Sequence, residues 1–566
     1  MFETFPESTT AIRDWTWDNY QPFVDELLNR ELTQASVNGW LADWTKLYYL
    51  AYENISRSQV ANDQNTADEQ AEAYLRNLYA TIFPPLMEAN TKLSKRLVES
   101  GLHVDNFELP LKKMQADIEV FHADNLPLQV QEQALGMEYG KIVSNQTVEW
   151  NGEEVTAIEL QKAWEDKDRA TRERAWRLWA DRWLEDREAI NNVWGQVYTL
   201  RQTMARQVGF ANYRDYRWRQ FKRFDYTPAD CETFHRAIEE VVVPAARRAN
   251  KRRQDALGVD TLRPWDLDVE PTDNPALRPW ESIDDFERKG ENVFNNVDPE
   301  LGAYFTTMRN EGLLDLPNRK NKGPGAYCTR FGASKRPFVL MNAVNRNDDV
   351  RTLLHEIGHA FHTFEVFEQL PYHQQQAYPI EFAEVASMAM ELLASPYLTL
   401  EHGGYYTPEE AARDRIDHLE RIIFFWPYMA VVDGFQHWAY THEGIAQDPN
   451  ACDDKWQELW TRFINVDYSG FEETQRTGWH RKQHIYRYPF YYVEYGLAQL
   501  GAVQVWARAL EDQAQAVKDY RAALALGGTR GLPELFGTAG VKFAFDSETL
   551  GSAVALIENT IESLSQ

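Results

Sequence analysis

Two histidines one helical turn apart, with a glutamate directly after the first, are the residues of this sequence best placed to do chemistry. In DDVRTLLHEIGHAFHTFEVFEQL, which begins at Asp348, helical spacing points the imidazoles of His355 and His359 at one spot. Glu356 completes HExxH, in which two imidazoles hold Zn²⁺ and the carboxylate acts as base toward a metal-activated water. Leu354, Ile357, Phe361 and Phe364 mark the core-facing side of the same helix, with Asp348 or Asp349 as its cap. Two imidazoles hold zinc weakly, and a catalytic site usually has three protein ligands. The variant of the motif with a third histidine fails here, because Glu365 stands where that histidine would be. The remaining solution is a carboxylate on a following helix. PIEFAEVASMAMELLASP suits one, with Pro379 in its first turn and Ser395-Pro396 at its end. Its acidic residues are Glu381, Glu384 and Glu391, and spacing alone does not choose among them. Gly358, beside the histidine face, allows the two helices to approach closely.

Taken together, HEIGHAFH and the downstream EFAEVAS resemble the thimet oligopeptidase and oligoendopeptidase F family of zinc metallopeptidases, closest to the oligoendopeptidase F (Pz-peptidase-like) branch. The resemblance implies that His355, His359 and Glu384 hold one Zn²⁺ per chain and that Glu356 is the catalytic carboxylate. It covers roughly residues 115–560 and is strongest over 323–395 and 478–505. It also implies a mainly α fold with two lobes around a deep substrate channel, a small β-sheet beside the zinc helix, and oligopeptides as substrates.

The elements around the motif follow from patterning. Trp15–Leu32, Ala35–Ile55 and Thr66–Glu99 carry apolar residues at helical steps. Asn151-Gly152 between short alternating runs marks a hairpin near 147–157. A charged helix is expected from Ala170 to about Gln207, stopped by Gly209, and a further helical run ends near Leu257. The segment containing Pro264, Pro271, Pro275 and Pro279 cannot be regular helix, and Trp265 and Trp280 mark it as packed surface rather than linker. A lobe boundary is placed near residue 200, giving an N-terminal helical lobe over 1–200 and a catalytic lobe over 201–566. Ala326–Arg330 and Phe338–Ala343 read as short strands after the Gly323-Pro324-Gly325 turn. No GK[ST] follows these glycines, so they are not a phosphate loop. The strand edge could pair with an extended peptide, which makes Gly325 and Tyr327 substrate-binding candidates; a hairpin that only braces the zinc helix fits equally well.

Pro489 is expected to open a helix that puts Tyr491 and Tyr495 on one face, with Tyr488 in line if helix extends that far. Such tyrosines either pack in a core or donate hydrogen bonds to an oxyanion. The resemblance implies the second role for His484 and for Tyr491 and Tyr495, while Tyr488 is a substrate-binding candidate.

Bulk properties limit the partners. A formal charge of −28 over 566 residues repels nucleic acid. No apolar run of about 18 residues spans a membrane, and MFETFPESTT is not a signal peptide. Cys231, Cys328 and Cys452 read as reduced thiols of a cytoplasmic protein. With the motif and the resemblance, the expectation is a zinc-dependent endopeptidase of short oligopeptides. An exopeptidase of the dipeptidyl carboxypeptidase kind and a non-catalytic peptide-binding protein are the alternatives, and a homodimer is left open.

Overall fold

The computed structural model describes residues Met1–Gln566 and is mainly helical. The chain divides into two compact units that interleave along the sequence. The first comprises Met1–Ile118, Ala276–Arg415 and Ala498–Phe543; the second comprises Glu119–Pro275, Ile416–Leu497 and Ala544–Gln566. The boundary expected near residue 200 falls inside a continuous helix, Arg187–Gln207. No helix is long and apolar enough to cross a membrane.

In the first unit, the N-terminal helices pack around Trp40 and Trp44, both fully buried on helix α1 (Val37–Gln64). The single helix expected over Thr66–Glu99 is two, Glu69–Thr81 and Phe83–Ser100. Pro84 and Pro85 sit in the first turn of the second, where a missing N–H costs no intrahelical bond. The two expected strands are β2 (Tyr327–Phe331) and β3 (Arg336–Ala343), and they pair antiparallel with Cys328 opposite Val339. A strand absent from the sequence reading, β1 (Leu314–Pro317), runs parallel to β3 on its other side. The run LDLP is short and ends in proline, which reads against a strand. Here Asp315 anchors it through ion pairs with Arg319 and the buried Lys322. β3 is therefore central and almost wholly buried, while β2 is an edge.

Helix α2 (Asn347–Gln369) follows β3 and carries HExxH. Its N-cap residue is Arg346, not either aspartate. Asp349 instead reaches back from the third helical position to accept from the Arg346 and Val344 N–H groups. Helix α3 (Ile380–Ala394) ends before Ser395 as expected, while Pro379, expected in its first turn, is its extended N-cap residue. A Cβ on Gly358 would lie 2.6 Å from the Ser387 Cα and 2.7 Å from the Ala386 carbonyl oxygen. Only glycine lets α2 and α3 come this close, and that approach puts a carboxylate of α3 within reach of the α2 histidines.

In the second unit, strands Thr147–Trp150 and Glu153–Thr156 pair around Asn151-Gly152, both at positive φ, as the hairpin pattern predicts. The expected Ala170–Gln207 helix breaks at Asp186 into Arg169–Glu185 and Arg187–Gln207. Its charges are not all a solvated face. Arg201 is fully buried against Glu132, the Tyr440 hydroxyl and the Ile485 and Tyr486 carbonyls, while Arg172 is buried against Asp266. Trp265 packs on Trp176, so this end of the proline-rich segment is part of a core.

Candidate active site

The first unit gathers the metal-ligating set. The donor atoms of His355, His359 and Glu384 all lie within 4.8 Å of one another. Glu384 Oε2 is 3.5 Å from His355 Nε2 and 3.8 Å from His359 Nε2. Tetrahedral ligands at about 2.0–2.2 Å from Zn²⁺ stand roughly 3.3–3.6 Å apart, so the set is close to closing on one ion. The outer contacts fix which atoms face inward. His355 Nδ1 is 2.7 Å from Glu391 Oε1, which leaves Nε2 turned to Glu384. The His359 ring is hydrogen-bonded to the Ala383 backbone, and the Ser387 hydroxyl donates to Glu384 Oε2 at 3.2 Å.

The electrostatics suit a cation. Burial, followed by the charge on His355, pulls His359 down to about 3, which keeps it neutral as a ligand must be. Burial also disfavours a charged His355, but the Glu391 hydrogen bond and the charges of Glu391, Glu384 and Glu356 outweigh it and hold the ring up at about 9. Three carboxylates thus surround two imidazoles, a surplus of negative charge that a divalent ion would neutralise. The donor set fits zinc.

Glu356 is buried beside His355 and accepts a hydrogen bond from the Cys328 N–H on edge strand β2. Burial pushes its carboxyl up to about 7. Glu384 and Glu391 add to the rise, while His355 and the Cys328 N–H oppose it. A carboxylate of that basicity suits a proton carrier near neutral pH. Tyr327 lies on the same strand with its hydroxyl donating to Asp63 of α1 at 2.9 Å. Gly325 precedes the strand at φ 89°, its carbonyl accepting from the Asn342 amide at 3.0 Å. His362 is buried and stacks on Tyr378 at 3.6 Å between ring centroids, so it packs beside the ligands rather than joining them.

His484, Tyr488, Tyr491 and Tyr495 come together in the second unit. Their local structure differs from the expectation. Pro489 does not open a helix; it lies in a break between Gln483–Arg487 and Tyr492–Glu511. Tyr488 and Tyr495 therefore share no helix face. The break is set by Phe490 at φ 64°, held by the Gln436 side chain accepting from its N–H and by Arg223 donating to its carbonyl. The turn nevertheless brings Tyr491 and Tyr495 to 5.1 Å between ring centroids, with His484 6.2 and 6.4 Å from them. Burial and the charge of Lys482 pull His484 down to about 4, so it stays neutral and able to donate an N–H. Tyr488 is 46% exposed. Tyr492, not considered from sequence, lies nearest His484, but its hydroxyl accepts from Lys482 at 2.8 Å.

Sequence reasoning also missed the roles of Glu391 and the Cys328 N–H. Glu391 was legible as a residue on the Glu384 face, and its part as a partner of His355 was not. A backbone N–H from a distant strand leaves no signal in the sequence.

The peptidase family M3 model matches residues 163–553, and the chain belongs to that family. Oligopeptidase PepF of Bacillus subtilis (strain 168) is 23% identical over 404 residues, 68% of this chain and 58% of the relative. A plasmid-encoded oligoendopeptidase F of Lactococcus lactis subsp. cremoris is 24% identical over 57% of this chain and 52% of its own length. The chain thus aligns with little more than half the length of these curated relatives. Among solved structures, Pz peptidase A with an inhibitor superposes with a TM-score of 0.85 at 25% identity, covering 100% of this chain and 99% of that one. A structure described as an oligoendopeptidase F gives 0.85 at 26% identity, covering 99% and 98%. The expected family and mainly α fold are thereby established.

Proposed function

We propose that this chain is a zinc-dependent oligoendopeptidase that hydrolyses internal peptide bonds of short peptides. The observation that carries the reading is the convergence of His355, His359 and Glu384 beside the buried Glu356. A zinc ion held by the first three would supply Lewis acidity, polarising the scissile carbonyl and lowering the pKa of water from 15.7 toward about 7. Glu356, its carboxylate steadied by the Cys328 N–H, takes the proton of the attacking water and passes it to the leaving amine nitrogen. His484 and one of Tyr491 and Tyr495 donate hydrogen bonds to the oxyanion that develops on the carbonyl. Edge strand β2, with Gly325 at its entrance, offers backbone groups to an extended peptide. Cysteines 231, 328 and 452 form no disulfide, which supports a cytoplasmic location as part of the same proposal.

The test is turnover of an internally quenched oligopeptide, with metal content measured alongside. Glu356→Gln should lose roughly 10²–10⁴ in rate while keeping the wild-type metal content. His359→Ala should lose both turnover and one metal ion. A Glu356→Gln protein that loses metal, beside a Glu384→Gln protein that keeps it, would reverse the two roles. Cleavage unaffected by chelator would end the zinc reading.

A further inference from the structure

A second cluster of metal-ligating side chains lies in the second unit, built without any residue of the HExxH region. Helix Pro228–Ala237 presents Cys231 and His235 four residues apart, and helix Pro408–Thr441 presents Asp433 and His437 with the same spacing. Each pair therefore shares one helix face. Donor atoms of Cys231, Asp433 and His437 all lie within 4.8 Å of one another. Cys231 and Asp433 are fully buried and His437 is 5% exposed.

Asp433 and His437 each keep a polar atom with no partner. Asp433 Oδ2 accepts from His235 Nε2 at 2.9 Å, but Asp433 Oδ1 has no hydrogen-bond partner. His437 Nδ1 also lacks one, while its Nε2 stands 3.2 Å from Asp433 Oδ2. Buried polar groups usually find a partner, and a bound ion is one way to supply it. A thiol, a carboxylate and an imidazole converging in one dry place are the donors of a borderline-soft divalent cation, not of calcium or magnesium. The ring of Trp218 at 5.6 Å and that of Phe490 at 5.5 Å flank His437 and form its apolar wall.

We propose that Cys231, Asp433 and His437 form a second zinc-class site, with His235 orienting Asp433 through its hydrogen bond. Binding replaces the thiol proton, so one proton leaves as the metal–sulfur bond forms. The position is not idle. Gln436, next to His437, accepts from the Phe490 N–H, so the ion would fix the helix that holds the break before Tyr491.

Cobalt distinguishes this site from the first, whose ligands include no sulfur. Full-length protein expressed or refilled with Co²⁺ should show a near-ultraviolet thiolate-to-cobalt charge-transfer band. The band should persist in His359→Ala and vanish in Cys231→Ser. Zinc content should be two per chain in the wild type and one in either single variant, with circular dichroism verifying that each is folded. Absence of the band in folded wild-type protein, or a single zinc that His359→Ala removes entirely, overturns the proposal. Neither result depends on peptidase activity, so this site and the proposed function stand or fall separately.

Discussion

Glu384 and Glu391 sit two turns apart on one helix face, yet one faces both imidazole Nε2 atoms while the other holds the Nδ1 of His355. The division predicts different losses. Glu391→Gln keeps a hydrogen-bond acceptor but not the charge, so metal affinity should fall about 10–100-fold, read by competition with a chromogenic chelator. Glu384→Gln should abolish tight binding, and equal losses in the two variants would refute the division. The tyrosines call for a kinetic measurement. If Tyr491 or Tyr495 donates to the oxyanion, replacing it with Phe should lower kcat roughly 10²–10³-fold with little change in KM, because the bond strengthens only in the transition state. His484→Ala should do the same, and Tyr492→Phe should not, since its hydroxyl is engaged by Lys482. Normal kcat in all four would make the cluster packing alone. At this scale the sequence was most informative where chemistry is local to one helix. HExxH puts two ligands and a base within five residues, so His355, Glu356 and His359 were legible from spacing. Glu384 needed the family resemblance, because three glutamates on the next helix satisfied spacing equally.

Among the elements, the α2–α3 pair decides whether the site exists. Gly358→Ala places a methyl group 2.6–2.7 Å from backbone atoms of Ser387 and Ala386, which cannot rotate away as a side chain would. The helices must separate, at a cost of about 1–3 kcal/mol or more, and Glu384 moves with α3. The denaturation midpoint should drop and metal affinity fall with it. Gly39→Ala is the contrasting case, at an exposed position of helix α1 with nothing within 4 Å of the added carbon. It should stabilise by up to about 1 kcal/mol through helix propensity. A Gly358→Ala protein as stable as Gly39→Ala would mean the close approach is not needed. The α2 and α3 helices and the Asn151-Gly152 hairpin were legible because periodicity, proline placement and turn chemistry agreed. Two elements were not. β1 is a four-residue strand ending in proline, held by Asp315 ion pairs that no period reveals. The break at Pro489 depends on a phenylalanine in the left-handed region, a conformation sequence assigns to glycine or asparagine. Tertiary hydrogen bonds from Gln436 and Arg223 hold it there.

For the whole molecule, chain order misled the division into 1–200 and 201–566 because helices Glu108–Val120, Pro408–Thr441 and Tyr492–Glu511 each contain a point where the chain passes from one unit to the other. A helical period continues smoothly through such a point and leaves no composition shift to read. Substrate size is the property of the intact molecule that follows most directly from the site. The side chains that would hold the metal are recessed: His355 is 26% exposed, His359 18% and Glu384 8%. On the proposed function, a scissile carbonyl is expected to reach them from a strand free of its own secondary structure. A disordered peptide presents such a strand at no cost beyond its own ordering. A folded protein must first open the segment, and core segments open with free energies up to the global stability of about 5–15 kcal/mol. Even an opening of about 4 kcal/mol leaves roughly one molecule in 10³ competent. Peptides of about 5–20 residues should therefore be cut at least 10³-fold faster than the same bonds inside a stable native domain. The measurement compares a native protein with its own proteolytic fragments, following each bond by mass spectrometry. Adding denaturant below the unfolding midpoint supplies the control, since cleavage of the native domain should rise in step with its opening. Equal rates on both substrates without denaturant would show that the site is open to folded chains.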